Sequence, residues 1–279
     1  MINQAVLEWL ARAQKGFPDV RILALCVLSN HLHLVVQDNA GELASWASYF
    51  LGNLARAVNR IRQRTGAFFE RRYSAEPILD DDALLERIVY VVTNPVKARL
   101  CRRSRDWLGV DLFADAGVSR EIPVFWIDRS APASAHSPRA RTSRGAPHSQ
   151  TVRSQIRLDP LPTSGIHDPG GERLRHAIEF REKELADERR RLKRRTLTPT
   201  QVLAQHWHAA PKSPTRSPRP LCHTGVPDLR KAFREGFQHF VSLFREASER
   251  LRAGLKAVFP DWSYPPGCRL VRPVAATMH

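Results

Sequence analysis

Acidic residues are scarce in this chain, cysteines are few and scattered, and no apolar run is long. The 279 residues carry 28 Asp and Glu against 44 Lys and Arg, a formal net charge of +16. The isoelectric point is about 10.7. No acidic residue lies between Asp128 and Asp159, whereas Arg129, Arg139, Arg141, Arg144, Arg153 and Arg157 do. Such an excess points to a polyanionic partner, because phosphate contacts release counterions and dominate non-specific affinity. A basic membrane-surface protein is the alternative. The four cysteines, Cys26, Cys101, Cys222 and Cys268, show no Cys-x-x-Cys spacing. That argues against a zinc ribbon or a disulfide frame and for reduced cytosolic thiols. No stretch approaches the roughly 18 apolar residues of a membrane span. The opening Met1-Ile2-Asn3-Gln4-Ala5 lacks the basic and apolar regions of a signal peptide. A cytoplasmic protein without a membrane anchor is the expectation.

What the chain does have is His31-Leu32-His33, inside the apolar run from Ile22 to Val36. Side chains at i and i+2 of a strand share a face. Two imidazoles thus project side by side, an arrangement suited to one divalent metal ion. Taken alone, a His-x-His is more often two half-exposed histidines on an edge strand. Tyr90 lies downstream among Ile88, Val89, Val91 and Val92, and by itself reads as a packed core tyrosine. Tyr73, after Phe68-Phe69-Glu70-Arg71-Arg72, is its rival. Asn94 follows Tyr90 by one helical turn, on the same helix face. Standing before Pro95, it also reads as a helix C-cap.

Periodicity divides the chain into three regions. The first, residues 1–118, begins with a helix over 2–15, where Val6, Leu7, Leu10 and Ala11 share a face. Strands over 20–28 and 32–37 follow, then a helix over 41–64. Trp46, Phe50, Leu51, Leu54 and Val58 line its apolar face, and Arg56, Arg60, Arg62 and Arg64 the other. Gly66 ends it. Glu76-Pro77-Ile78-Leu79 reads as a strand, and Asp80-Asp81-Asp82 opens another helix, where acidic residues suit the dipole. That order fits an α+β fold, an antiparallel sheet with helices on one face. Residues 119–170 are rich in Pro, Ser and Arg and read as a disordered basic linker. Residues 171–279 form a helical accessory region. Glu172 to Arg195 alternates charges as a solvated helix does, and Thr198-Pro199-Thr200-Gln201 starts a short helix. His206-Trp207-His208 sits in a helical context, where i and i+2 face apart. After a break at 211–220, Pro227 opens a long amphipathic helix with Leu229, Phe233, Phe237, Phe240, Phe244, Leu251 and Leu255 on one stripe.

A strand ending Asn30-His31-Leu32-His33-Leu34, a basic helix, the aromatic and Arg-rich stretch from Gly66 to Tyr73, then Tyr90 and Asn94-Pro95-Val96-Lys97-Ala98 form a recognisable series. It resembles the single-tyrosine HUH transposases, most closely the REP-associated tyrosine transposases of bacteria. The resemblance covers about residues 2 to 110 and implies a ferredoxin-like or RRM-like sheet. It also implies that His31 and His33 bind Mg²⁺ or Mn²⁺, with Asn94 as third ligand. Mg²⁺ prefers six oxygen-rich positions, so two imidazoles leave most of the shell to oxygens. Tyr90 is then the nucleophile on single-stranded DNA at the foot of a hairpin, leaving a 5′-phosphotyrosine. A tyrosine hydroxyl, with a reference pKa of about 10, needs help to attack. Arg56, Arg60, Arg71, Arg72 and Lys97 would contact DNA. A homodimer is implied in which Tyr90 of one subunit faces the His pair of the other. The chain departs from the pattern in three places. It opens on a helix where the family has a strand, which predicts unpaired backbone beside the metal site. Phe69 stands where Trp is usual, and Trp107-Leu108-Gly109 replaces a Pro-Ser-Ser-rich continuation. A catalytically silent, nucleic-acid-binding derivative is the alternative reading.

Overall fold

The computed structural model describes residues 1–114, 119–128, 150–161, 172–205, 221–261 and 263–266. Helix α1 (Ile2–Gly16) leads into β1 (Val20–Val27) and β2 (Leu32–Asp38), then α2 (Leu43–Ile61) and α3 (Asp81–Lys97). A 3₁₀ turn (Ser104–Asp106) precedes β3 (Asp111–Phe113), β4 (Arg120–Asp128) and β5 (Gln150–Leu158). Helices α4 (Glu172–Arg191), α5 (Pro199–Leu203) and α6 (Pro227–Arg252) follow. The α+β class read from the sequence is the class observed.

The sheet runs β2-β1-β5-β4, with β3 also paired to β1. Strands β1 and β2 are antiparallel, with an irregularity between Ile22 and Ala24. The second edge of β1 is shared. Strand β3 pairs antiparallel with Ala24–Cys26, and β5 meets Ile22 in parallel through Leu158. The Asp159 amide donates to the Ile22 carbonyl at 2.8 Å, and Arg21 binds Asp159 Oδ1 at 3.0 Å. The unpaired edge expected beside the histidines is therefore paired. The sheet is mixed rather than purely antiparallel.

Both faces of the sheet are covered, which corrects the expectation of helices on one face. Val20, Ile22 and Leu25 pack with α1 and α2 around Leu10, Trp46 and Phe50. Leu23, Cys26, Leu28 and Val35 pack with α3 and α4 around Ile88, Val92 and Leu174. A strand buried on both faces reads as a continuous apolar run rather than an alternating one, as β1 does.

The linker expected over 119–170 is, at 120–128 and 150–158, an antiparallel strand pair. Its inward residues alternate: Val124, Ile156 and Leu158 join the core, with Ile122 and Trp126 against it. Phe125 and Ile127 point outward. Pro123, Arg153 and Arg157 between these positions, and Ser154 opposite Val124, hide the period of two. Gln14 Nε2 donates to the Arg157 carbonyl at 2.7 Å and Gln14 Oε1 accepts from the Arg157 amide, tying α1 to β5. Two further expectations change. Residues 76–79 are not a sheet strand; Ile78 makes one isolated parallel bridge to His223. Helix α4 is not fully solvated, since Leu174, Ile178 and Leu185 are buried. The 206–208 motif, the 211–220 break and Cys268 lie outside the described residues.

Candidate active site

Strand β2 and helix α3 bring the candidate residues together. Val35 lies in the core beneath α3, and His33, two residues back, points to the same side of the strand. His31 immediately precedes the strand. The two imidazole rings stand edge to face with centroids 4.9 Å apart. His31 Nδ1 lies 2.7 Å from Asn30 Oδ1. An amide oxygen only accepts, so this ring nitrogen donates and Nε2 keeps its lone pair.

Burial lowers the His31 pKa. His33 is lowered to about 4, first by burial and then by His31 and Lys97, against a smaller opposing effect of Glu76. Both rings are thus neutral at pH 7, the form that ligates metal.

Helix α3 owes its start to Asp80, whose side chain accepts from the Ala83 amide at 2.7 Å, with Asp81 and Asp82 in the first turn. The helix continues through Pro95 to Lys97, capped at Ala98. The C-cap reading of Asn94 is therefore overturned. Asn94 lies inside the last turn of the helix, buried at 6% exposure, and its Nδ2 is buried without a hydrogen-bond partner. Buried amides without partners are uncommon; an amide nitrogen only donates, so a metal would meet Oδ1 of this side chain and not Nδ2.

Tyr90 is half-buried, and its ring meets His33 edge to face at 5.4 Å. The contact is made within one chain, without a second subunit. Two cations flank the phenol: Lys97 Nζ at 4.7 Å and Arg87 Cζ at 5.3 Å from the ring centroid. Arg87 was not singled out from the sequence, although its i−3 spacing from Tyr90 places it on the same helix face. Glu76 was missed too. Its Oε2 lies 3.1 Å from His223 Nε2, a partner with no sequence signal because 147 residues intervene.

The remaining candidates lie elsewhere. Arg56 and Arg60 sit on the exposed side of α2, whose buried side faces the opposite side of the sheet. Arg56 is held by Asn53 Oδ1 at 2.9 Å. Arg71 and Arg72 are exposed in the segment before α3, and Arg71 reaches Glu70 at 4.0 Å. Tyr73 is 44% exposed. Its pKa is raised by burial, then by Tyr264 and Asp38. Asp38 ends β2, five residues from His33, about 17 Å along a strand. Tyr73 thus belongs to the far end of the strand from the histidines.

Among the described residues, no group of three or more His, Cys, Asp or Glu is placed to hold a metal ion. The candidate donors are the two neutral imidazoles, with ring centroids 4.9 Å apart, and the side-chain oxygen of Asn94. This set leaves most positions of a hard divalent cation to phosphate and water oxygens. Among the described residues no helix is long and apolar enough to cross a membrane.

No family model matches the chain, and no solved structure matches it. Over 96 residues the chain is 28% identical to a Haemophilus influenzae protein described as "Putative REP-associated tyrosine transposase". The aligned stretch is 30% of this chain and 54% of that protein, so the chain spans about half the length of the curated relative it matches.

Proposed function

We propose that this chain cleaves single-stranded, hairpin-associated DNA by a tyrosine transposase reaction, with Tyr90 as nucleophile. His31, His33 and Asn94 would hold Mg²⁺ or Mn²⁺. When bound, the metal would supply charge to polarise the scissile phosphate. The observation that carries the reading is the edge-to-face contact of Tyr90 on His33, flanked by two cations.

In the proposed step Tyr90 Oη forms a bond to phosphorus as the bond from phosphorus to the 3′ oxygen breaks. The phenolic proton is released, and the departing 3′ oxygen takes one up. The product is a 5′-phosphotyrosine and a free 3′ hydroxyl. Lys97 and Arg87 offset the charge that builds on the phosphate. The Asn30 contact fixes the tautomer of His31. Such chemistry belongs in a bacterial cytoplasm, where the DNA is, and a homodimer remains part of the proposal.

The test uses the full chain, labelled hairpin DNA with a single-stranded extension, and Mn²⁺ or Mg²⁺. A denaturant-resistant adduct should form, and be lost both in Tyr90→Phe and on chelation. The absence of a third His, Cys, Asp or Glu donor among the described residues favours one other reading, a silent DNA-binding derivative. DNA binding with no adduct under any of these conditions would establish it.

A further inference from the structure

Two acid-free basic runs, far apart in the sequence, end side by side. The first follows α3: Lys97, Arg99, Arg102, Arg103 and Arg105, with no acidic residue among them. The second closes α4: Arg189, Arg190, Arg191, Lys193, Arg194 and Arg195, and no acidic residue occurs from there to Asp228. The Leu197 amide donates to the Arg99 carbonyl at 2.9 Å. Leu185 packs on Val96 and Cys101 beneath the turns. Glu182 Oε1 accepts from both the Ser104 amide and hydroxyl at 2.7 Å, pinning the first run to α4 between Arg103 and Arg105.

Cations at a helix C-terminus offset its dipole, an effect confined to the last turn. That accounts for Lys97 and for Arg189 to Arg191. It does not account for Arg102, Arg103, Arg194 and Arg195, which lie beyond the helices and are exposed. Arg190 is paired with Asp187 and Arg105 with Asp106. At both turns the left-handed position that glycine fills without strain holds a cation, Arg99 at φ 62° and Lys193 at φ 49°.

We propose that Arg99, Arg102, Arg103, Lys193, Arg194 and Arg195 form a docking face for the sugar-phosphate backbones of a double-stranded stem. The proposal rests on the reading of this chain as DNA-acting, and adds where the duplex sits. Cations from two adjacent turns make a surface, not a line, and so meet the phosphates of two strands. Lys97 belongs to the first run and also covers the Tyr90 ring, so the face is continuous with the reacting end. A single strand leaving the stem is thereby delivered to the phenol.

The test measures binding of the full-length protein to a labelled DNA hairpin by anisotropy across a salt series. It compares wild type with a Lys193→Ala, Arg194→Ala, Arg195→Ala triple variant. Losing three phosphate contacts should flatten the plot of log affinity against log salt by roughly 2 to 3. Hairpin affinity near 0.1 M salt should fall at least tenfold, with a smaller loss for a single strand of equal length. Lysine at the two Arg positions should restore the slope, since charge is the currency. An RNA hairpin arm reports whether the face accepts A-form as well as B-form backbone; equal or tighter RNA binding lost in the variant would overturn the DNA assignment. An unchanged slope, an equal loss on single-stranded DNA, or competition by polyglutamate alone would overturn the stem. The readout is binding, so it stays informative if no Tyr90 adduct ever forms.

Discussion

Lys97 Nζ stands 4.7 Å from the centroid of the Tyr90 ring, two turns further along α3. The same ring meets His33 edge to face. In the proposed reaction this lysine would hold a phosphate against the phenol. Lys97→Ala should lower the rate of adduct formation on the order of 10²-fold, with DNA affinity much less affected. Single-turnover kinetics at saturating DNA separate the two. An unchanged rate with weakened affinity would make Lys97 a binding residue only.

Asn94→Ala should weaken Mn²⁺ binding by about tenfold or more, comparable to the loss of a supporting polar group at other metal sites. The fold should survive, because the helix continues past this residue to Lys97. Calorimetric titration with Mn²⁺, checked by circular dichroism, measures both. Mn²⁺ affinity equal to wild type would remove Asn94 from the ligand set and leave its Nδ2 a packing cost.

Asp111, opposite Cys26 in the β1–β3 pair, has its carboxyl pushed up from 3.8 to about 8, by burial first and then by Glu182. A carboxyl with a raised folded pKa holds its proton more tightly when folded. Its contribution to stability is full below pH 3.8 and is lost as pH rises through 8. Asp111→Asn should flatten this decline, so that the variant gains most in Tm relative to wild type near pH 9 and least near pH 5. Thermal unfolding across that range decides it; parallel Tm curves would show that the carboxyl does not titrate there.

Trp107 Nε1 donates to the Val27 carbonyl at 3.0 Å, directly over Gly109. A Cβ on Gly109 would lie 2.3 Å from that nitrogen and 2.7 Å from the carbonyl oxygen. Gly109→Ala must displace the indole and break the bond at the end of β1 next to the histidines. A destabilisation of about 1–3 kcal/mol follows, read as a shift in the denaturant midpoint. A midpoint within error of wild type would mean that the 107–110 turn yields freely.

Much of the site was legible because its signals are local. His33 lies in β2 and His31 just before it, with rings 4.9 Å apart as the strand period anticipates, and Tyr90, Asn94 and Lys97 share a face through the helix period. The resemblance set Tyr90 against the His pair across two subunits, whereas the structure sets it against His33 within one chain; no periodicity connects the two elements. What was illegible is tertiary. The strands at 120–128 and 150–158 carry their alternation under Arg, Ser and Pro, so composition outweighed period. Helix α4 shows only Leu174, Ile178 and Leu185 against a charged background, too thin a stripe to announce burial. Asn94 looked like a cap because Pro95 follows it, but packing of Val92 and Val96 carries the helix past the proline.

The second edge of β1 is completed by Leu158 and Asp159, more than 130 residues after Ile22. Strand β1 thus waits for β5 as the chain emerges during synthesis. Contacts of such long separation slow folding and leave apolar strand edges open meanwhile. A polypeptide ending near residue 118 would contain His31, His33, Tyr90 and Asn94, yet lack Val124, Ile156 and Leu158 from the core on the opposite face of the sheet. The strands that complete this core thus lie outside the stretch that carries the candidate site.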